Sequence, residues 1–292
     1  MFSSKKSVKE LYLPSCFTLA QGRHTAMVIR FLRKLMSGRN KNIHLNFSKV
    51  EEMTVGDFIV LAAQAEKAKL NRKNECYKTK HLTRKKDIDA AITRGLSFHH
   101  NQVAPFWSVD LVGEKAEKVV GAVVEKILMS LKKIGIRDDF GLFGFFLNEL
   151  MTNAVEHGIR NGRINWWLTY EVDNKTNTIT YTFVDMGLGI ISSHKKAGLP
   201  FKYRFLPNKR IPIDAFKKKL PSSTKQTNRG KGLPQILSFL ENDYFSNFVL
   251  ITNSVALSFE DKKFITKKVP DFIGTYYTWT INKENYKKWK NL

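Results

Sequence analysis

FLNELMTNAVEHG, residues 146–158, carries Glu149, Asn153 and His157 at intervals of four on a pattern with an apolar flank. Residues four apart drift only about 40° around a helix, so the three polar groups line one stripe of its surface. Such a stripe faces either water or a ligand, while the apolar flank faces a core. The pattern predicts a helix near 138–158, preceded by a helical pattern near 114–133. Downstream, INWWLTYEV (164–172) and TITYTFVDM (178–186) read as strands separated by the turn DNKTN (173–177). Helices followed by antiparallel strands predict an α+β sandwich for this half of the chain rather than a doubly wound sheet.

The second of these strands runs into Asp185, Gly187 and Gly189, where the glycines permit backbone approaches that a side chain would block. Something flat fits against such a turn. Further on, NRGKGLPQILSFL (228–240) sets Gly230, Lys231 and Gly232 ahead of a helical pattern, so that free backbone N–H groups and the positive helix end point at an anion. Each glycine pair taken alone reads as a turn. Their order behind the polar stripe is what makes them candidates. Between them, residues 191–229 hold eleven Lys or Arg against one acid, Asp214. Phe201, Tyr203, Phe205 and Phe216 lie among these charges, compatible with base stacking but better read as the packing of an ordered segment.

Toward the N-terminus, a strand-like LYLP (11–14), a helix near 24–37, a strand at 43–47 and a helix near 57–71 alternate, which predicts a small α/β unit. A polar, basic stretch (71–86) and a short helical DIDAAITRGL (87–96) follow. HHNQVAPFW (99–107) reads as a linker whose His99 and His100 are surface residues, so the units are expected to span 1–103 and 104–292. The whole chain has 292 residues, 42% hydrophobic and 12% aromatic, a globular mixture that buries a core. Cys16 and Cys76 lack metal or redox spacing and are expected as free thiols in a reducing compartment. The apolar stretch behind Lys5, Lys6 and Lys9 is broken by Glu10, Pro14 and Gln21, and no later run approaches a membrane span, so a soluble, cytoplasmic protein is expected. A formal net charge of +23 favours phosphate-rich partners, namely nucleotides, nucleic acid or anionic lipid heads, although a Lys-rich solvated surface gives the same number.

The set NELMTNAVEHG, DMGLGI, RGKGLP and GTYYTWTI resembles the N, G1, G2 and terminal-strand motifs of the GHKL (histidine kinase-like) ATP-binding fold, over roughly 105–282. Glu, Asn and His-Gly at spacing four most resemble the anti-sigma-factor serine kinases. The resemblance implies a two-layer α+β sandwich, with helices on a mixed, mostly antiparallel sheet, and implies ATP and Mg2+ as cofactors. It assigns Asn153 to the metal, Glu149 to general-base catalysis, Asp185 and Thr275 to the adenine with Gly187 and Gly189 giving it room, and Gly230, Lys231 and Gly232 to the phosphates. His157 stands equally as a ligand contact or a helix-end residue. The segment 191–229 takes the position of the family's ATP lid.

NIHLNFSKVEEMTVGDFIVLAAQAEKA (42–68) is similar to the strand, loop and helix of STAS domains, found in anti-sigma-factor antagonists. Here the loop reads Met53-Thr54-Val55-Gly56-Asp57 and lacks the family's phosphorylated serine, with Thr54 the only hydroxyl in its place. A STAS-like unit without its acceptor serves as a docking or dimerisation platform, for a protein partner or a homodimer. Two function classes remain open: a Mg-dependent ATPase or protein serine/threonine kinase, and a nucleotide-gated interaction protein that holds a protein or nucleic-acid partner with little turnover.

Overall fold

The computed structural model describes residues 8–37, 42–47, 49–70, 77–80, 124–125, 127–136, 141–158, 166–220 and 232–290. The N-terminal unit contains β1 (Val8–Tyr12), β2 (Cys16–Phe17), α1 (Thr25–Ser37), β3 (Asn42–Asn46), β4 (Glu52–Met53), α2 (Val55–Leu70) and β5 (Tyr77–Lys80). Strands β1, β3 and β5 form a parallel sheet in that order, and β2 pairs with β4. The alternation expected from the sequence is present. The polar stretch 71–86 departs from expectation, because it supplies β5 as an edge strand whose residues show no apolar alternation. The expected helix at 87–96, the linker at 99–107 and the boundary near 103 all lie outside the described residues.

In the second half, helical residues 124–125 and 127–131 lead into a 3-10 turn, Lys132–Ile134. Then come α3 (Gly141–Gly158), β6 (Trp166–Asp173), β7 (Thr178–Asp185), α4 (Ile190–Ala197), a 3-10 turn (Phe201–Arg204), α5 (Arg210–Phe216), α6 (Gly232–Glu241), β8 (Ser246–Glu260), β9 (Lys263–Ile281) and α7 (Lys283–Lys290). The four strands make an antiparallel sheet in the order β6-β7-β9-β8. The expected turn between β6 and β7 is an Asx turn: Asp173 Oδ1 accepts the Lys175 N–H at 2.8 Å, and Asp173 Oδ2 accepts the Thr176 hydroxyl at 2.7 Å. At the tip of the β8–β9 hairpin, Asp261 and Lys262 both have positive φ (47° and 60°), as a two-residue hairpin turn of the right twist requires.

Both faces of this sheet are buried. On one face Trp166, Leu168, Tyr170, Tyr181, Phe183, Tyr277 and Trp279 join Phe143, Phe146, Leu147 and Leu150 of α3 and Ile236 and Phe239 of α6 in a single core. Alternate residues point the other way, and Trp167, Val184, Ile251, Phe272 and Tyr276 form a second core with Val28, Ile29 and Leu32 of α1, Ile59 and Val60 of α2, and Leu11 and Ile43 of the parallel sheet. Helices α1 and α2 therefore lie between two sheets. That placement explains the composition of α2, which is apolar almost all round (VGDFIVLAAQA) rather than striped. It also explains the near-continuous apolar run WWLTY in β6, since a strand covered on both faces has no solvent side to mark.

The contact between units is close. A Cβ on Gly56 would lie 2.1 Å from Thr182 Oγ1, so only glycine lets α2 approach β7 here. The side-chain amide of Gln64 donates to the Ile273 carbonyl at 3.1 Å, and Lys267 Nζ donates to the Gly22 carbonyl. No described helix is long and apolar enough to cross a membrane.

Candidate functional site

The polar stripe of α3 meets the start of α6. An atom in the Cβ position of Gly232 would stand 2.5 Å from Glu149 Oε2 and 2.9 Å from Asn153 Nδ2, so Glu149, Asn153 and Gly232 converge on one point. The apolar flank of α3 secures this: Phe143, Phe146, Leu147, Leu150, Met151 and Ala154 are buried and hold the helix rotation, leaving Glu149 and Asn153 half-buried on the side facing α6. Asn153 Nδ2 and Asn148 Oδ1 are buried without a hydrogen-bond partner. An orphaned amide in a folded interior marks a place where a partner is missing. A half-turn of the Asn153 amide exchanges that nitrogen for a neutral oxygen, the kind of donor a hard cation takes. Among the described residues no three His, Cys, Asp or Glu side chains are grouped to hold a metal by themselves.

A second group forms at the ends of the central strands. Asp185, the last residue of β7, pairs in register with Thr275 of β9. Its side chain is 8% exposed, and Oδ1 accepts the Gly187 N–H at 2.7 Å. Burial raises the carboxyl pKa to about 6, against the opposing hydrogen bonds from Gly187 and Thr275. Gly274 makes the pairing possible: it has φ +93°, and a Cβ there would fall 1.8 Å from the Asp185 carbonyl oxygen. Thr275 belongs to the run GTYYTWTI, and its first residue, Gly274, is what lets the two strands close at this point.

Gly189 has φ +77°, and the space a side chain would take is filled by Asn253 and Thr252. Asn253 Oδ1 accepts the backbone N–H groups of Ile191 and Ser192, Asn253 Nδ2 donates to the Leu188 carbonyl, and Thr252 Oγ1 accepts the Ile190 N–H. The room at Gly189 thus serves the cap of α4. Nothing in the sequence distinguished Asn253 from an ordinary strand residue. His157 lies at the end of α3 and its side chain is outside the described set, as are Gly230 and Lys231.

Of the segment between the two groups, residues 191–220 are described. Tyr203 and Phe216 are buried, as packing predicts, whereas Phe201 and Phe205 are 67% and 76% exposed. The lone acid Asp214 is buried and accepts from the Tyr203 hydroxyl at 2.9 Å and from Arg210 Nε at 3.0 Å.

No family model, curated protein or solved structure matches this chain. The meaning of the site rests on its own geometry.

Proposed function

We propose that the chain is an ATP-binding protein of the GHKL type, acting with Mg2+ as an ATPase or protein serine/threonine kinase. The observation that carries this reading is the convergence of Glu149 and Asn153 on Gly232, across two helices separated by the whole β6–β7 hairpin and the basic segment. In this reading Asn153 holds the metal and Gly232, at the positive end of α6, presents its N–H to phosphate. Asp185 accepts the adenine amino group with Thr275 beside it. Bound magnesium would neutralise phosphate charge and orient the phosphates. Glu149, one turn from Asn153, would take the proton of the water or hydroxyl whose oxygen bonds to the γ-phosphorus as the bond to the β–γ bridging oxygen breaks and ADP leaves.

Titration with Mg-ATP and phosphate-release assays on two variants test the proposal. Asn153→Ala is expected to weaken magnesium-dependent binding, whereas Glu149→Ala keeps binding and loses turnover on the order of 10²- to 10⁴-fold. Wild-type affinity in Asn153→Ala would overturn the assignment. A second reading, nucleotide-gated partner binding with little turnover, draws support from Thr54. Its hydroxyl donates to Asp57 Oδ2 at 2.6 Å and accepts the Asp57 N–H at 3.0 Å, so the only candidate acceptor in that loop already caps α2. Nucleotide binding without phosphate release in the wild type selects this second reading.

A further inference from the structure

The 3-10 turn Phe201–Arg204 and the residue after it present an arrangement that nucleotide binding at the α3–α6 site does not use. In the run Phe201-Lys202-Tyr203-Arg204-Phe205, the central ring points inward and its neighbours point out. Tyr203 is buried, and its hydroxyl is tied to Asp214, which Arg210 also engages. This anchor holds the turn, so the rings of Phe201 and Phe205 stand in solvent by construction. They meet edge to face with centroids 5.2 Å apart and planes at 69°. The Arg204 guanidinium lies 5.5 Å from the Phe201 ring centre, and Lys202 Nζ lies 5.4 Å from that of Tyr203.

The segment itself carries almost one sign of charge. Residues 191–220 contain nine Lys or Arg, all exposed, and their single acid is consumed by the anchor. Further contacts tie the segment to the sheet: Lys195 Nζ donates to Asn208 Oδ1 at 2.9 Å, and Asn208 Nδ2 donates to Ser254 Oγ of β8 at 3.2 Å.

We infer that Phe201 and Phe205, with Lys202 and Arg204 between them, form a stacking platform for single-stranded nucleic acid. Exposed rings interleaved with cations match what such a strand offers, π-faces at a regular interval beside a line of phosphates. A membrane is the poorer match. An element that lies on a bilayer has a continuous apolar face along a helix, and here Phe201, Phe205 and Leu206 sit on a four-residue 3-10 turn and the residues just after it, with Lys202 and Arg204 between the two rings.

The test uses the full chain without nucleotide or magnesium, so its outcome is independent of the ATP reading. Fluorescence anisotropy with a short labelled oligothymidine is compared with competition by polyphosphate, which offers the charge without the bases, and by phosphatidylserine vesicles. Binding at low salt is expected to weaken as salt rises, with a slope of roughly −0.7 per phosphate contacted. Phe201→Ala and Phe205→Ala are each expected to lower oligothymidine affinity on the order of 5- to 100-fold. Both should leave polyphosphate affinity and thermal melting unchanged, and Phe205→Trp should retain binding. Absence of binding at low salt overturns the platform, as does wild-type affinity in both alanine variants. An equal loss toward polyphosphate, or ring-dependent capture by the vesicles in place of the oligonucleotide, overturns it as well.

Discussion

Gly232 shows how much a single missing side chain decides. As the first residue of a helix it escapes most of the roughly 1 kcal/mol that glycine costs in a helix interior, so propensity neither demands nor forbids it there. Its value lies in the 2.5 Å and 2.9 Å that separate its absent Cβ from Glu149 and Asn153. Gly232→Ala is therefore expected to leave thermal stability unchanged or slightly raised while Mg-ATP affinity drops about tenfold or more, because the new methyl pushes both side chains aside. Calorimetric titration beside a melting curve separates the two effects, and unchanged affinity would mean that the convergence is not the nucleotide site. The Glu149–Asn153 stripe was legible because helical periodicity alone puts the two on one face. That Gly232 is the residue they face was not, since no local pattern encodes a contact between helices so far apart in the chain. The roles of Gly274 and Asn253 are illegible for the same reason, since one is set by Asp185 on the neighbouring strand and the other by residues 188–192 at the start of α4.

At the first turn of α2, a reciprocal pair of hydrogen bonds between Thr54 and Asp57 closes the helix end, and Asp57 Oδ1 also accepts the Leu19 N–H at 2.9 Å. Full burial raises the Asp57 pKa to about 6, from a starting value of 3.8, against the pull of those hydrogen bonds. The folded protein thus binds a proton that the unfolded chain has already released between these two pH values. Stability contributed by this group is complete below about pH 4 and is lost as pH rises through about 6. Asp57→Asn cannot titrate, so the wild type is expected to lose ground relative to that variant over this window, by on the order of 2–3 kcal/mol. Urea denaturation of both proteins at several pH values measures the difference, and a constant gap would contradict the raised pKa of the buried carboxyl. Elements of this kind were largely readable. The strands β6 and β7 emerged with the turn between them because Asp173 and its neighbours carry turn chemistry, and α1 because its apolar positions repeat. Strand β5 stayed hidden, since an edge strand of Tyr, Lys and Thr has neither alternation nor an apolar run to announce it.

On the scale of the whole chain, the two units share a core, and the sheet that carries Asp185 and Thr275 is the wall between them. Unfolding is expected to be a single cooperative transition by calorimetry, and two separated transitions would refute the shared core. Gly56→Ala tests the closest point of contact: its methyl meets Thr182 and is expected to cost about 1–3 kcal/mol, lowering that one transition rather than splitting it. Two units were visible in the sequence from the change of pattern between them. Their docking was not, although α2, apolar on all sides, and the WWLTY run of β6 held the signal that both are covered twice. The same double covering bears on how the gene can be cut. Made as two pieces, one carrying the parallel sheet with α1 and α2 and the other the antiparallel sheet, the polypeptide would present matching greasy walls, Val28, Ile29 and Val60 on the first and Trp167, Val184 and Tyr276 on the second. Such pieces, made together in one cell, are built to reassemble as a split protein, and neither is suited to life as an independent module.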